Sequence, residues 1–185
     1  YYGGPFQWYE AHLKCQEYNM AGAALFGLPI IVQGHNDVLG WGLTPNDPDF
    51  ADVFQEKMGG GRANPKSLGA EGTPSEQAMI LSYMSYSQPY YVRTDSGMDE
   101  RHVPALINSR GPVFEDGGGL YSWKIGGFGD TGGLCQLWEM GRSRDLSSFQ
   151  NALVMQQLPC FHIVYADREG NLFYQYNAKC GVRMP

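Results

Sequence analysis

The sequence predicts an α+β fold built on a mostly antiparallel sheet, with a short helical segment near its end. Three observations predict it. Up to about residue 125, apolar and aromatic residues come in short runs broken by Gly, Pro, Asn and Asp, which is the pattern of strands and turns. The period then changes, and Phe149, Ala152 and Leu153 fall at helical spacing on one face. After Pro159 the chain alternates again. Strands followed by a helical segment, with no internal repeat, belong to the α+β class.

The elements follow in order. Phe6 to Leu13 is aromatic-rich and reads as a strand. Ala21 to Val32 is nearly continuous apolar sequence, as in a strand covered on both faces. Gly34-His35-Asn36-Asp37 then forms a turn, because Asn and Asp side chains bond their own backbone. Val38 to Thr44 resumes extended, and Asp52 to Gln55 is another short strand. Met58 to Pro74 is a surface loop rich in Gly, Pro, Asn and Ser. Gln77 to Arg93 reads as one or two strands around Pro89, and Arg101 to Ile107 and Leu120 to Ile125 as further strands, with Gly111-Pro112 and Gly117-Gly118-Gly119 as breaks. Leu134 to Met140 is a short helix. Asp145 caps a second one running from Leu146 to about Gln157. Phe161 to Ala166 and Asn171 to Tyr176 form a hairpin across Asp167-Arg168-Glu169-Gly170.

Composition narrows the function. The 185 residues, 43% apolar and 14% aromatic, suit one sizeable core. A net charge of −6 with no Lys or Arg cluster argues against a nucleic-acid or anionic-membrane partner. No run approaches the ~20 apolar residues of a membrane span. Tyr1-Tyr2-Gly3-Gly4-Pro5 has neither a basic start nor an apolar stretch, so these residues read as the interior of a domain and the chain as trimmed or processed there. Cys15, Cys135, Cys160 and Cys180 lack C-x-x-C spacing and read as buried free thiols, with a disulfide left open.

Several phrases form an ordered set: Trp8-Tyr9-Glu10-Ala11-His12-Leu13, Gly27-Leu28-Pro29, Gly34-His35-Asn36-Asp37, Trp41-Gly42-Leu43-Thr44, Asp52-Val53-Phe54-Gln55-Glu56-Lys57, Tyr165-Ala166-Asp167 with Gly170-Asn171, and Arg183. In this order and spacing the chain resembles an internal segment of the β-chain of the penicillin acylase family of N-terminal nucleophile hydrolases. The resemblance implies an αββα sandwich, hydrolysis of a linear acyl-amide, and a precursor cleaved so that a serine begins the β-chain. That serine's own α-amine serves as base. It also implies the remaining α-chain and β-chain segments as partners, a periplasmic or secreted location, and no organic cofactor. The acyl group stays open among penicillin side chains, glutaryl groups, lactone-linked fatty acyls and lipopeptide tails.

Carried over residue by residue, the resemblance meets departures. The serine belongs upstream of Trp8, and residue 1 is a tyrosine. The oxyanion asparagine of the family falls at His162, whose imidazole N–H is a chemically sound replacement. The backbone N–H donor falls at Pro45, which has none, so Asn46 is the neighbour placed to fill the gap. Arg183 matches an arginine kept close to the active centre. Asp49, Ala51 and Asp52 fall where the family holds a structural calcium, with Asp167 as a further ligand. Trp8, Phe26, Trp41 and Pro45 are the candidates for lining an apolar acyl pocket.

Rival readings attach to these residues. The segment reads as part of an amidohydrolase, inactive alone without its nucleophile. The alternative is a catalytically silent member kept as a binding or scaffold module. A third reading pairs His162 with Cys160, two residues away on the same strand face, or with Cys15. His162 also suits a core histidine satisfied by a backbone carbonyl, Arg183 a surface arginine, and Asp49 with Asp52 a solvated acidic loop. Trp8, Tyr9, Phe26 and Trp41 equally suit the core. His35 reads as a turn residue, and His12 and His102 as structural or exposed.

Overall fold

A computed structural model describes residues 4, 7–56 and 84–181. The predicted loop from Met58 to Pro74, the first part of the strand region beginning at Gln77, and Arg183 lie outside them. The chain divides into two compact units: Tyr1–Phe50 with Gly129–Pro185, and Ala51–Phe128. The sequence reads as one continuous segment, but the second unit is an excursion between two halves of the first.

The first unit is a six-stranded antiparallel sheet in the order β1-β2-β3-β4-β10-β11. Its strands are β1 (Trp8–Cys15), β2 (Tyr18–Leu25), β3 (Gln33–His35), β4 (Leu39–Thr44), β10 (Cys160–Asp167) and β11 (Leu172–Ala178). The helices α1 (Gly133–Arg142) and α2 (Leu146–Leu153) bury Leu137, Met140, Phe149 and Leu153 in a cluster with Met20, Leu39, Trp41, Leu43, Ile163 and Tyr165 of the strands. The alternation along β4 (Leu39, Trp41 and Leu43 buried) and along β10 (Ile163 and Tyr165 buried) assigns one face of the sheet to the helices.

Strand β3 takes in Gly34 and His35, which the sequence assigns to a turn, because they pair with β2 and β4. Two further details differ from expectation and have local causes. The apolar run from Ala21 to Val32 is not one strand. β2 stops at Leu25, Gly27 turns with φ +84°, and Ile30, Ile31 and Val32 enter the core from the following loop. Helix α2 ends at Leu153 rather than near Gln157. Gln156 takes a left-handed φ of 50°, and the N–H groups of Gln157 and Leu158 donate to the side-chain oxygen of buried Gln136 at 2.5 and 3.0 Å. At its start α2 has the expected cap: Asp145 accepts from the Ser148 N–H at 2.7 Å.

The second unit is a five-stranded antiparallel sheet in the order β5-β9-β8-β7-β6. Its strands are β5 (Ala51–Glu56), β6 (Met84–Thr94), β7 (Gly97–Ile107), β8 (Pro112–Asp116) and β9 (Gly119–Ile125). Strand β6 runs unbroken through Pro89, which its edge position permits. Strand β8 begins at Pro112 itself, in a pair that reads in the sequence only as a break. One carboxylate oxygen of Glu56 accepts from Asn108 (2.9 Å), Arg110 (2.7 Å) and Ser122 (2.5 Å), joining β5, β9 and the β7–β8 turn. Among the described residues no helix is long and apolar enough to cross a membrane.

Candidate active site

Because every neighbouring pair in the first sheet is antiparallel, alternate strand ends gather on one edge. β1 begins there at Trp8 and β2 ends there at Leu25. β4 ends there at Thr44, β10 begins at Cys160 and β11 ends at Ala178. Thr44 lies directly opposite His162, and His162 opposite Tyr176. This register brings the Pro45-Asn46 pair, which follows the end of β4, close to His162 on the neighbouring strand β10 although the two are distant in sequence.

His162 is half-buried on the face turned away from the helices, since Ile163 beside it is fully buried against them. Its Nδ1 lies 2.9 Å from the Tyr174 hydroxyl, and the Tyr176 ring meets it edge-on with centroids 5.4 Å apart. Asn46 spends its side-chain N–H on the backbone carbonyl of Asn177 at 3.0 Å. Asn177 in turn donates to the Leu158 carbonyl at 2.7 Å. The Asn46 amide therefore fastens the chain after β4 to β11, while its buried Oδ1 and its backbone N–H have no partner among the described residues. Pro45 is exposed beside it.

The apolar candidates separate. Trp41 belongs to the core and not to a pocket on the His162 face. It pairs with Tyr165 on the helix-covered face, is 5% exposed, and donates Nε1–H to the Val32 carbonyl at 2.9 Å. Trp8 packs partly against the same core. Phe26 is exposed at the gathered edge, its N–H bonded to the Gln7 carbonyl at 2.8 Å. Cys160 shares the His162 face. Burial raises its thiol above the ordinary range, the opposite of what a thiolate nucleophile needs.

The Gly-His-Asn-Asp turn has a structural role that its sequence only half shows. The Asn36 side-chain oxygen accepts from the N–H groups of Val38 and Leu39 at 2.9 and 3.0 Å, as an Asn turn should. Its Nδ2 also donates to the carbonyls of Gly141 and Ser143, both at 2.8 Å, and closes the end of α1. Gly141 serves a different contact, since a Cβ there would overlap the Met20 side chain that packs against this end of α1. His35 is exposed, with Nδ1 3.2 Å from the Asn36 carbonyl oxygen. His12 meets the Asn19 side-chain oxygen at 2.7 Å, and His102 meets Glu100 at 3.0 Å.

Asp167, named with the calcium candidates, ends β10 at the β10–β11 turn. Its carboxylate accepts from Tyr165 Oη (2.8 Å), the Glu169 and Asn171 N–H groups (3.0 and 2.9 Å) and Asn171 Nδ2 (2.9 Å), so it is committed to its own hairpin turn. The Asn171 hydrogen bond leads the effects that hold this carboxyl below its usual range. Asp49 falls in the first unit, and Ala51 and Asp52 in the second. Among the described residues no group of three or more His, Cys, Asp or Glu is arranged to hold a metal ion.

Comparison with known proteins adds the lineage. The penicillin amidase family model matches residues 1–185. Two acyl-homoserine lactone acylases named QuiP, from Pseudomonas fluorescens strains Pf-5 and Pf0-1, are each 24% identical to the chain over 165 and 168 residues. The matches cover 86% and 88% of the chain and 19% and 20% of those proteins. A thermostable penicillin G acylase from Alcaligenes faecalis superposes with a TM-score of 0.65 at 20% identity, over 92% of this chain and 30% of that one. The chain thus spans about a fifth of the length of the curated relatives it matches.

Proposed function

The chain belongs to the penicillin amidase family, and from that premise we propose that it is part of an amide hydrolase cleaving a linear acyl-amide bond, in which it holds the carbonyl oxygen. The supporting observation is the register that sets Thr44 opposite His162, so that the Asn46 N–H and the His162 imidazole flank one end of the sheet. Two N–H donors aimed at a developing oxyanion are what amide hydrolysis requires of a site beside its nucleophile. In this reading the nucleophile comes from another segment of the same precursor, and an N-acyl-homoserine lactone, the substrate class in its relatives' names, is the first amide to test.

The test is turnover by the full-length, processed protein. His162→Ala should lower kcat by about 10² to 10³, the usual effect of losing one oxyanion donor, with little change in KM. His162→Asn should keep substantial activity, because an amide N–H can take the same place. Near-wild-type turnover in His162→Ala would remove the histidine from the reaction. The silent-scaffold reading is favoured by one pair of facts: Pro45 has no N–H, and the Asn46 side chain is spent on Asn177. Acyl-amide binding without turnover in the wild-type protein would decide for it.

A further inference from the structure

The geometry points to Tyr174 as the positioning residue that sets the tautomer of His162 and leaves Nε2–H as the group that donates. The inference rests on the reading of His162 as an oxyanion donor, and it assigns a role that an asparagine at that place would not need. An amide carries its donor and acceptor on fixed atoms, whereas a neutral imidazole must place its single proton on one of two nitrogens. A histidine serving as a donor therefore needs a partner at the other nitrogen, as histidines held by a second group show in general.

Tyr174 occupies the position for that partner. The directly opposed residue, Tyr176, presents its ring edge-on and makes no hydrogen bond to the imidazole among the described residues. Tyr174 is opposed to Val164, one diagonal step away, a separation that a long aromatic side chain can bridge. Its hydroxyl reaches His162 Nδ1 at 2.9 Å, with the rings 6.0 Å apart and 25° from parallel. A phenol is the better donor and an unprotonated imidazole nitrogen the better acceptor, so the proton of this bond belongs to Tyr174. Nδ1 then bears no hydrogen and Nε2 bears one. The contact with the Tyr176 edge limits rotation of the ring about that bond.

Two measurements on the full-length protein test this. In the first, nitrogen-15 NMR of histidine-labelled protein at neutral pH should show His162 with a protonated Nε2 and an Nδ1 shifted by hydrogen bonding. Tyr174→Phe should remove the Nδ1 shift. A proton on Nδ1 in the wild type, or no change in Tyr174→Phe, overturns the inference whether or not the protein turns over any amide. In the second, Tyr174→Phe should lower kcat about fivefold, the size of one ordinary hydrogen bond, with KM nearly unchanged. The same substitution in the His162→Asn background should change kcat less than about twofold, since an amide has no tautomer to set. Equal losses in the two backgrounds would make Tyr174 a packing or substrate contact instead. Absence of turnover in the wild type would defeat the amide-hydrolase reading while the NMR result still decides the tautomer.

Discussion

The two sheets are built from similar antiparallel pairings and are held in different ways. In the six-stranded sheet one face is sealed by helices, and Met20, Ile31, Met140, Phe149 and Ile163 are almost wholly inaccessible. In the five-stranded sheet Leu120 is the buried apolar side chain among the described residues, and Val53, Phe114 and Trp123 remain largely exposed. That sheet relies on cross-strand contacts instead. Phe114 stacks on Tyr121 at 5.8 Å and meets Trp123 edge-on at 5.3 Å, Arg110 lies 5.0 Å over the Phe54 ring, and Glu56 gathers three donors. Cross-strand pairs each contribute roughly 0.2–1 kcal/mol, against several kcal/mol for a buried aromatic residue. The lesson is that strand pairing specifies a sheet, while stability accumulates where a second layer covers it.

The contrast is best broken at Phe149, which is 0% exposed and packs on Tyr165 at 4.8 Å. Phe149→Ala should destabilise the first unit by ~3–5 kcal/mol in chemical denaturation, through lost burial and a residual cavity. A loss below ~1 kcal/mol would show that the helices do not seal this sheet.

Asn36→Ala should cost the same unit ~2–3 kcal/mol, because two carbonyls and two N–H groups lose their partner together. Asn36→Asp keeps the acceptor half and loses the donor half. Amide exchange should therefore quicken at the end of α1 while the β3–β4 turn stays protected, and equal loosening of both would refute the clamp.

In the second unit the prediction concerns acid. Burial alone would raise the Glu56 carboxyl, but the bonds from Ser122, Arg110 and Asn108 and the charge of Arg110 outweigh it and hold the group below its ordinary range. A depressed folded value stabilises the sheet at any pH above the unfolded carboxyl range, near ~4.3. That contribution is lost as pH falls through the folded value. The melting temperature of this unit should drop on acidification below about pH 4.5. Glu56→Gln should flatten that dependence and cost ~1–2 kcal/mol at neutral pH. An unaltered acid slope in Glu56→Gln would place the titration elsewhere.

The smallest effect is expected at Phe114, whose ring is 37% exposed on the uncovered sheet. Phe114→Ala should cost under ~1.5 kcal/mol, the worth of an aromatic pair beyond its area. A loss as large as that of Phe149→Ala would mean that a covering layer protects this face in the full-length protein.

Local sequence was enough for strands β1, β4, β10 and β11, the two helix starts, the hairpin at Asp167 and the family. These depend on local matters: a period of two or 3.6, a cap, a turn residue, a motif's spacing. Tertiary structure alone decided which face of each strand is covered, and so it sent Trp41 to the core and His162 to the open side one strand away. It decided that Asn36 closes a helix more than a hundred residues further along, and that Asp167 is consumed by its own turn. It also divided the apolar run from Ala21 to Val32 at Gly27. Alternation says that two faces differ, but not which will meet a second layer, because that layer comes from residues the local pattern never sees.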